Sequence, residues 1–76
     1  MMSKRVNGAA RVLPLYKAVM RMHETDHEET LLILGDMAQA VLNGFDPEEI
    51  LHYESLEPDY AIDLLQVAHQ LYHEDQ

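Results

Sequence analysis

Seventy-six residues can enclose one hydrophobic core and no more, because a chain of this length buries only about 60% of the surface its unfolded form exposes. The absence of cysteine removes disulfides and thiolate zinc sites as supports for a core that supplies only about 3 to 5 kcal/mol, leaving a partner chain or a histidine and carboxylate metal site, and it fits a cytoplasmic location. Fourteen acids against five lysines and arginines give a net charge of −9, and the longest apolar run, residues 31–34, falls far short of the roughly 20 residues that a membrane span needs.

The charge is not spread evenly. Lys4, Arg5, Arg11, Lys17 and Arg21 all precede the first acid, Glu24, so residues 1–23 form a basic segment and residues 24–76 an acidic body of one domain, 1–76. A helical bundle can set opposite charges side by side, so the basic segment is expected to pack across the acidic body. It does not read as a secretory signal, since Arg11, Pro14, Lys17 and Arg21 interrupt every stretch of the 7 to 15 or so apolar residues that such a signal needs.

Taken in order, the elements are all helices. Val12, Leu15, Tyr16, Val19, Met20 and Met22 recur at helical spacing, and Pro14, tolerated only in a first turn, places the start of this helix near Leu13 and predicts residues 13–23. Thr25 or Asp26 can cap a second helix, residues 27–43, with Glu28 or Glu29 as the reciprocal half of a capping box and Gly44 as its left-handed stop. The run Phe45-Asp46-Pro47-Glu48-Glu49-Ile50 supplies staple, cap, first-turn proline, two acids facing the helix dipole and the staple partner, and predicts a short third helix, residues 47–54. Pro58 opens a fourth, residues 58–73, with Ala61, Leu64, Leu65, Ala68, Leu71 and Tyr72 on one stripe. No segment alternates with period two over strand length, so the fold is all-α, a small bundle of three to four short helices.

The second helix is apolar around most of its circumference. Leu31, Leu34, Ala38, Val41 and Leu42 form one face, and Ile33, Met37 and Ala40 widen it. Such a helix is buried on all sides, which in so short a chain predicts a dimer interface through Leu31, Ile33, Leu34, Met37, Ala38 and Val41.

The stretch Val41-Leu42-Asn43-Gly44-Phe45-Asp46-Pro47-Glu48-Glu49-Ile50-Leu51, followed by Tyr53, Leu56, Asp59, Leu64 and Ala68, resembles the C-terminal part of the DUF433 family, small bacterial helix-turn-helix-like proteins often found as antitoxin candidates. The match covers fewer than half of the residues, and the glycine, threonine, arginine, isoleucine, proline run that opens the family is replaced by the segment from Asn7 to Thr30. The resemblance implies that residues 47–54 and 58–73 sit like the two helices of a helix-turn-helix. Electrostatics opposes DNA binding through that pair: residues 58–73 offer Asp59, Asp63, Gln66 and Gln70 with no Lys or Arg, and their neighbour adds Glu48, Glu49 and Glu54. A nucleic-acid site, the alternative reading, would have to use Lys4, Arg5, Arg11, Lys17 and Arg21 as salt-dependent phosphate contacts.

His69 and His73, four apart on a helix, are the candidate metal ligands, with Glu74 or Asp75 nearby. Without the glutamate of H-E-x-x-H, the pair is read as solvated polar-face residues, and no metal or other cofactor is expected. No cysteine nucleophile, triad context for Ser3 or Ser55, or glycine-rich phosphate loop is present, so the chain is not expected to be an enzyme. The expected function is that of a regulator or adaptor whose acidic face, Glu48, Glu49, Glu54, Asp59 and Asp63, binds a partner protein with a basic surface.

Overall fold

Four helices and one 3-10 turn account for most of the chain, and there is no strand among the described residues. A computed structural model describes the backbone of residues 2–74 and the side chains of residues 12–73. Helix α1 is Met2–His23, α2 is His27–Leu42, α3 is Pro47–Tyr53 and α4 is Ala61–Glu74, with the 3-10 turn at Pro58–Tyr60 leading into α4. No helix of the described residues is long and apolar enough to cross a membrane.

The starts of α2 and α3 follow from their capping aspartates. Asp26 Oδ1 accepts the Glu29 N–H at 2.9 Å, and Asp46 Oδ1 accepts the Glu48 N–H at 2.9 Å, each satisfying one of the donors that a helix N-terminus leaves free. Thr25 has a different task. Buried Thr30 donates its hydroxyl to the Asp26 carbonyl at 2.6 Å, and Thr25 Oγ1 lies 2.6 Å from the Thr30 hydroxyl oxygen, so the two threonines lock the α1–α2 corner.

The first helix departs from the sequence expectation. Instead of starting near Leu13, α1 runs 22 residues straight through Pro14. At 1.5 Å per residue it is about 33 Å long, which matches the longest dimension of the molecule, 34 Å. Pro14 is exposed whereas Leu15 and Val19 are fully buried. The ring therefore lies on the solvent side, where the carbonyl that loses its N–H partner can turn to water, and packing of the other face holds the helix together.

The helix ends share one device. Past α2, Gly44 has φ +105°, the Phe45 N–H donates to Ala40 O at 3.1 Å and the Gly44 N–H to Val41 O at 3.0 Å. Past α3, Ser55 has φ +60°, the Leu56 N–H donates to Leu51 O at 2.7 Å and the Ser55 N–H to His52 O at 3.0 Å. Past α1, Glu24 has φ +52° and the Thr25 N–H donates to Met20 O at 3.3 Å. These are left-handed stops of the Schellman type. Only the first carries the glycine that suits it, so Ser55→Gly is expected to raise unfolding free energy by about 1 kcal/mol, and Gly44→Ala, where nothing lies within 4 Å of the added Cβ, to lower it by about as much through backbone strain alone. Urea denaturation of the two variants checks both signs; a neutral Ser55→Gly would contradict the left-handed geometry at that position.

Packing closes around α4. It lies most extensively against α2 and next against α1, while α3 reaches α4 and, less extensively, α2. Leu15 and Val19 from α1, Leu51 from α3, Leu56 from the α3–α4 connection, and Leu64 and Ala68 from α4 form one core cluster with the buried apolar face of α2. That face is Leu34, Met37 and Ala38. Three of the six side chains expected to meet a second copy are therefore enclosed by this chain itself, because α1 and α4 supply the apolar cover that a partner was expected to provide. Of the other three, Ile33 and Val41 are half-buried and Leu31 is exposed. Among the described residues a Cβ at Gly35 would meet nothing within 4 Å, so no neighbouring described side chain makes use of its small size.

Candidate functional site

The third helix is short, and Leu51 is its one buried residue. With half-buried Ile50 packed beside it against the core, this anchor leaves Glu48, Glu49, His52 and Tyr53 exposed as a ridge. On one side, between α3 and α2, lies a groove of about 470 Å³, within the range of sites that hold ligand groups. Its floor is apolar, made by Ile33, Met37 and Ala40 of α2 with Ile50 of α3, and Phe45 and Tyr53 flank it. Its rim carries Asp36, Glu49 and Glu54, and among the described residues no lysine or arginine lines it.

On the other side of the ridge a more polar groove of about 510 Å³ is lined by Asp46, Glu48, Glu49, His52, Tyr53 and Pro58. Glu49 and Tyr53, four residues apart on α3, border both grooves. Tyr53 is 90% exposed and Phe45 60%. Two large rings held in water beside carboxylates have no role in the core, and exposed aromatic groups of this kind are what binding surfaces are enriched in. No family model, curated protein or solved structure matches this chain at a significant level. The properties of the site therefore rest on its own residues.

Of the acids expected to bind a partner, Glu48, Glu49 and Glu54 come together around the α3 ridge. Glu54 also lies 3.2 Å from His23 Nε2, which ties the end of α1 to the end of α3 and becomes an ion pair when the imidazole is protonated. It is the one such contact between two described side chains, and both groups remain about one-third exposed, so it contributes little to stability. Asp59 is exposed on the 3-10 turn and Asp63 is half-buried in the first turn of α4; neither lines the two grooves.

The basic residues lie on α1. Lys17 and Arg21 are exposed, and Arg21 shares a shallow surface with Glu57, Met22 and Tyr60. Lys4, Arg5 and Arg11 fall within the helix span, with side chains outside the described residues. At the far end of α4 the His69 and His73 rings meet edge to face with centroids 4.2 Å apart, and Tyr72 approaches His73 at 5.7 Å. Among the described residues no group of three or more ligating side chains converges on one point. Glu74 and Asp75, the suggested additional ligands, lie outside the described side chains.

Sequence reasoning did not single out Asp36, Phe45 and Tyr53 as site residues. Asp36 had a visible signal, as a lone acid inside the apolar run of α2 from Leu31 to Leu42. Phe45 was read as a staple against Ile50, and both do border the same groove, but the ring is left mostly in water. Nothing local marked Tyr53, whose exposure depends on how α3 is docked.

Proposed function

We propose that this chain is a cytoplasmic, non-enzymatic regulatory or adaptor module that binds a partner protein with a basic surface through the acidic ridge of α3. The observation that carries the reading is the groove between α2 and α3, which joins an apolar floor to three carboxylates with no cation among its described lining residues. An apolar patch supplies the desolvation energy of association, and carboxylates around it select cationic partners and speed their approach. The same carboxylates disfavour phosphate, since from Met22 to Gln76 the chain contains no lysine or arginine to contact a nucleic-acid backbone.

Affinity capture from native cells tests the proposal when the wild-type chain is compared with a Glu48→Gln, Glu49→Gln, Glu54→Gln variant. The expected result is a captured protein that is lost with the triple variant and whose association slows by roughly tenfold or more as salt rises from low to physiological levels. A capture profile indifferent to the three substitutions, or an association rate that ignores salt, removes the basis of the reading.

A further inference from the structure

The groove and its rim constrain the shape of what docks there. Its α2 wall is Ile33, Asp36, Met37 and Ala40, which stand at i, i+3, i+4 and i+7 and so present two turns of one helical face, about 10 Å long. The opposite wall is the α3 ridge, with Glu49 and Ile50 in one turn and Tyr53 in the next. This is a short apolar trough between two helices, open along its length. We infer that the groove receives an amphipathic helical segment of the basic partner, which inserts apolar side chains spaced i, i+4 between α2 and α3 and sets lysines or arginines against Asp36, Glu49 and Glu54.

Charge complementarity selects this occupant over the alternatives. A second copy of the chain carries nine net negative charges, its one basic helix, α1, is already packed against its own α2 and α4, and an extended apolar peptide would leave the three carboxylates without partners. A helix that is apolar on one side and basic on the flanks satisfies both the floor and the rim, and it is a recurrent way for a groove to recognise a peptide. Tyr53, 90% exposed and bordering the trough, is placed to fold over the docked segment, and Phe45 flanks the same floor. This inference rests on the proposed acidic binding surface and specifies its ligand.

Three synthetic peptides of about four turns, roughly 14 residues, test it by fluorescence anisotropy against the full-length protein. One carries leucines at i, i+4 and i+7 on an otherwise lysine-rich helix; the second has the same composition with the leucines scattered round the helix; the third is a lysine-rich peptide of equal charge without leucine. The first is expected to bind at least about tenfold more tightly than either control, and Tyr53→Ala and Phe45→Ala are each expected to weaken it by about tenfold, as loss of a buried anchor does. Both rings are largely exposed, so circular dichroism should show the variants folded. Glu49→Gln should weaken binding and reduce its salt dependence. If the three peptides bind alike, or Tyr53→Ala binds the first peptide as the wild type does, the helix-in-groove inference is overturned while the acidic-surface reading stands. If no peptide binds even at low salt, both fall.

Discussion

Truncation of Leu51 to alanine is expected to cost about 3 kcal/mol and to release the binding ridge along with the core. Leu51 is fully buried, and Leu→Ala at such positions costs roughly 2 to 5 kcal/mol, the spread reflecting how far the cavity collapses. For a domain of 60 to 100 residues each kcal/mol corresponds to about 4 to 8 °C, so the melting temperature should fall by something like 12 to 24 °C. Because a core this small supplies only about 3 to 5 kcal/mol, no more than about 2 kcal/mol of stability should remain. The location of the loss matters as much as its size. Leu51 is the only buried residue of α3, and its carbonyl accepts the Leu56 N–H that closes the helix, so amide exchange in α3 and the α3–α4 connection should accelerate more than in α2. A loss under about 1 kcal/mol would mean that the side chain is not enclosed.

Replacing Pro14 by alanine should act in the opposite direction, raising unfolding free energy by about 2 kcal/mol. Proline in a helix interior is about 3 kcal/mol worse than alanine, and the stiffer unfolded chain that proline provides offsets up to about 1 kcal/mol of this. Pro14 sits in the middle of α1 and faces solvent, so alanine restores the missing hydrogen bond without disturbing Leu15 or Val19. Urea unfolding measures the gain, and far-ultraviolet circular dichroism should show helix content unchanged or slightly higher. Were α1 instead to begin near Leu13, proline would occupy a first turn that suits it and the substitution would be neutral or destabilising.

These two residues mark the limits of what was legible. Proline carries a strong local preference for a first turn, and reading it that way shortened α1 at its N-terminal end by eleven residues relative to the helix that forms, Met2–His23. Pro14 could not report that Leu15 and Val19 on the opposite face would be fully buried against other helices. The helix ends near residues 23 and 54 are as the sequence predicts, but a similar limit hid the left-handed backbone at Glu24 and Ser55. Left-handed backbone is signalled by glycine, and these positions adopt it without one, held by hydrogen bonds back into the preceding helix and by the need for the next element to dock.

The acidic ridge was partly legible. Glu48 and Glu49 stood out as first-turn acids and Glu54 as part of an acidic surface, whereas the apolar trough beside them was not foreseen. Its two walls come from helices joined through Asn43, Gly44, Phe45 and Asp46, and the space between them depends on the angle at which α3 meets α2, which no residue encodes alone. The same angle leaves Tyr53 in water while Leu51, two residues earlier, is buried.

What the sequence by itself determined is therefore local: an all-helical chain, the start of α2 at Thr25 or Asp26 and of α3 at Asp46, the stop at Gly44, and the separation of a basic first helix from an acidic body. Caps, left-handed glycine and helical periodicity act within a few residues, so they can be read from a few residues. Only the tertiary structure decided which apolar side chains of α2 the chain covers for itself, that α1 continues through its proline, and that Asp36, Glu49 and Glu54 share one groove with Phe45 and Tyr53. Those outcomes depend on packing free energy summed over all four helices, and it is this sum that overrides or completes each local preference.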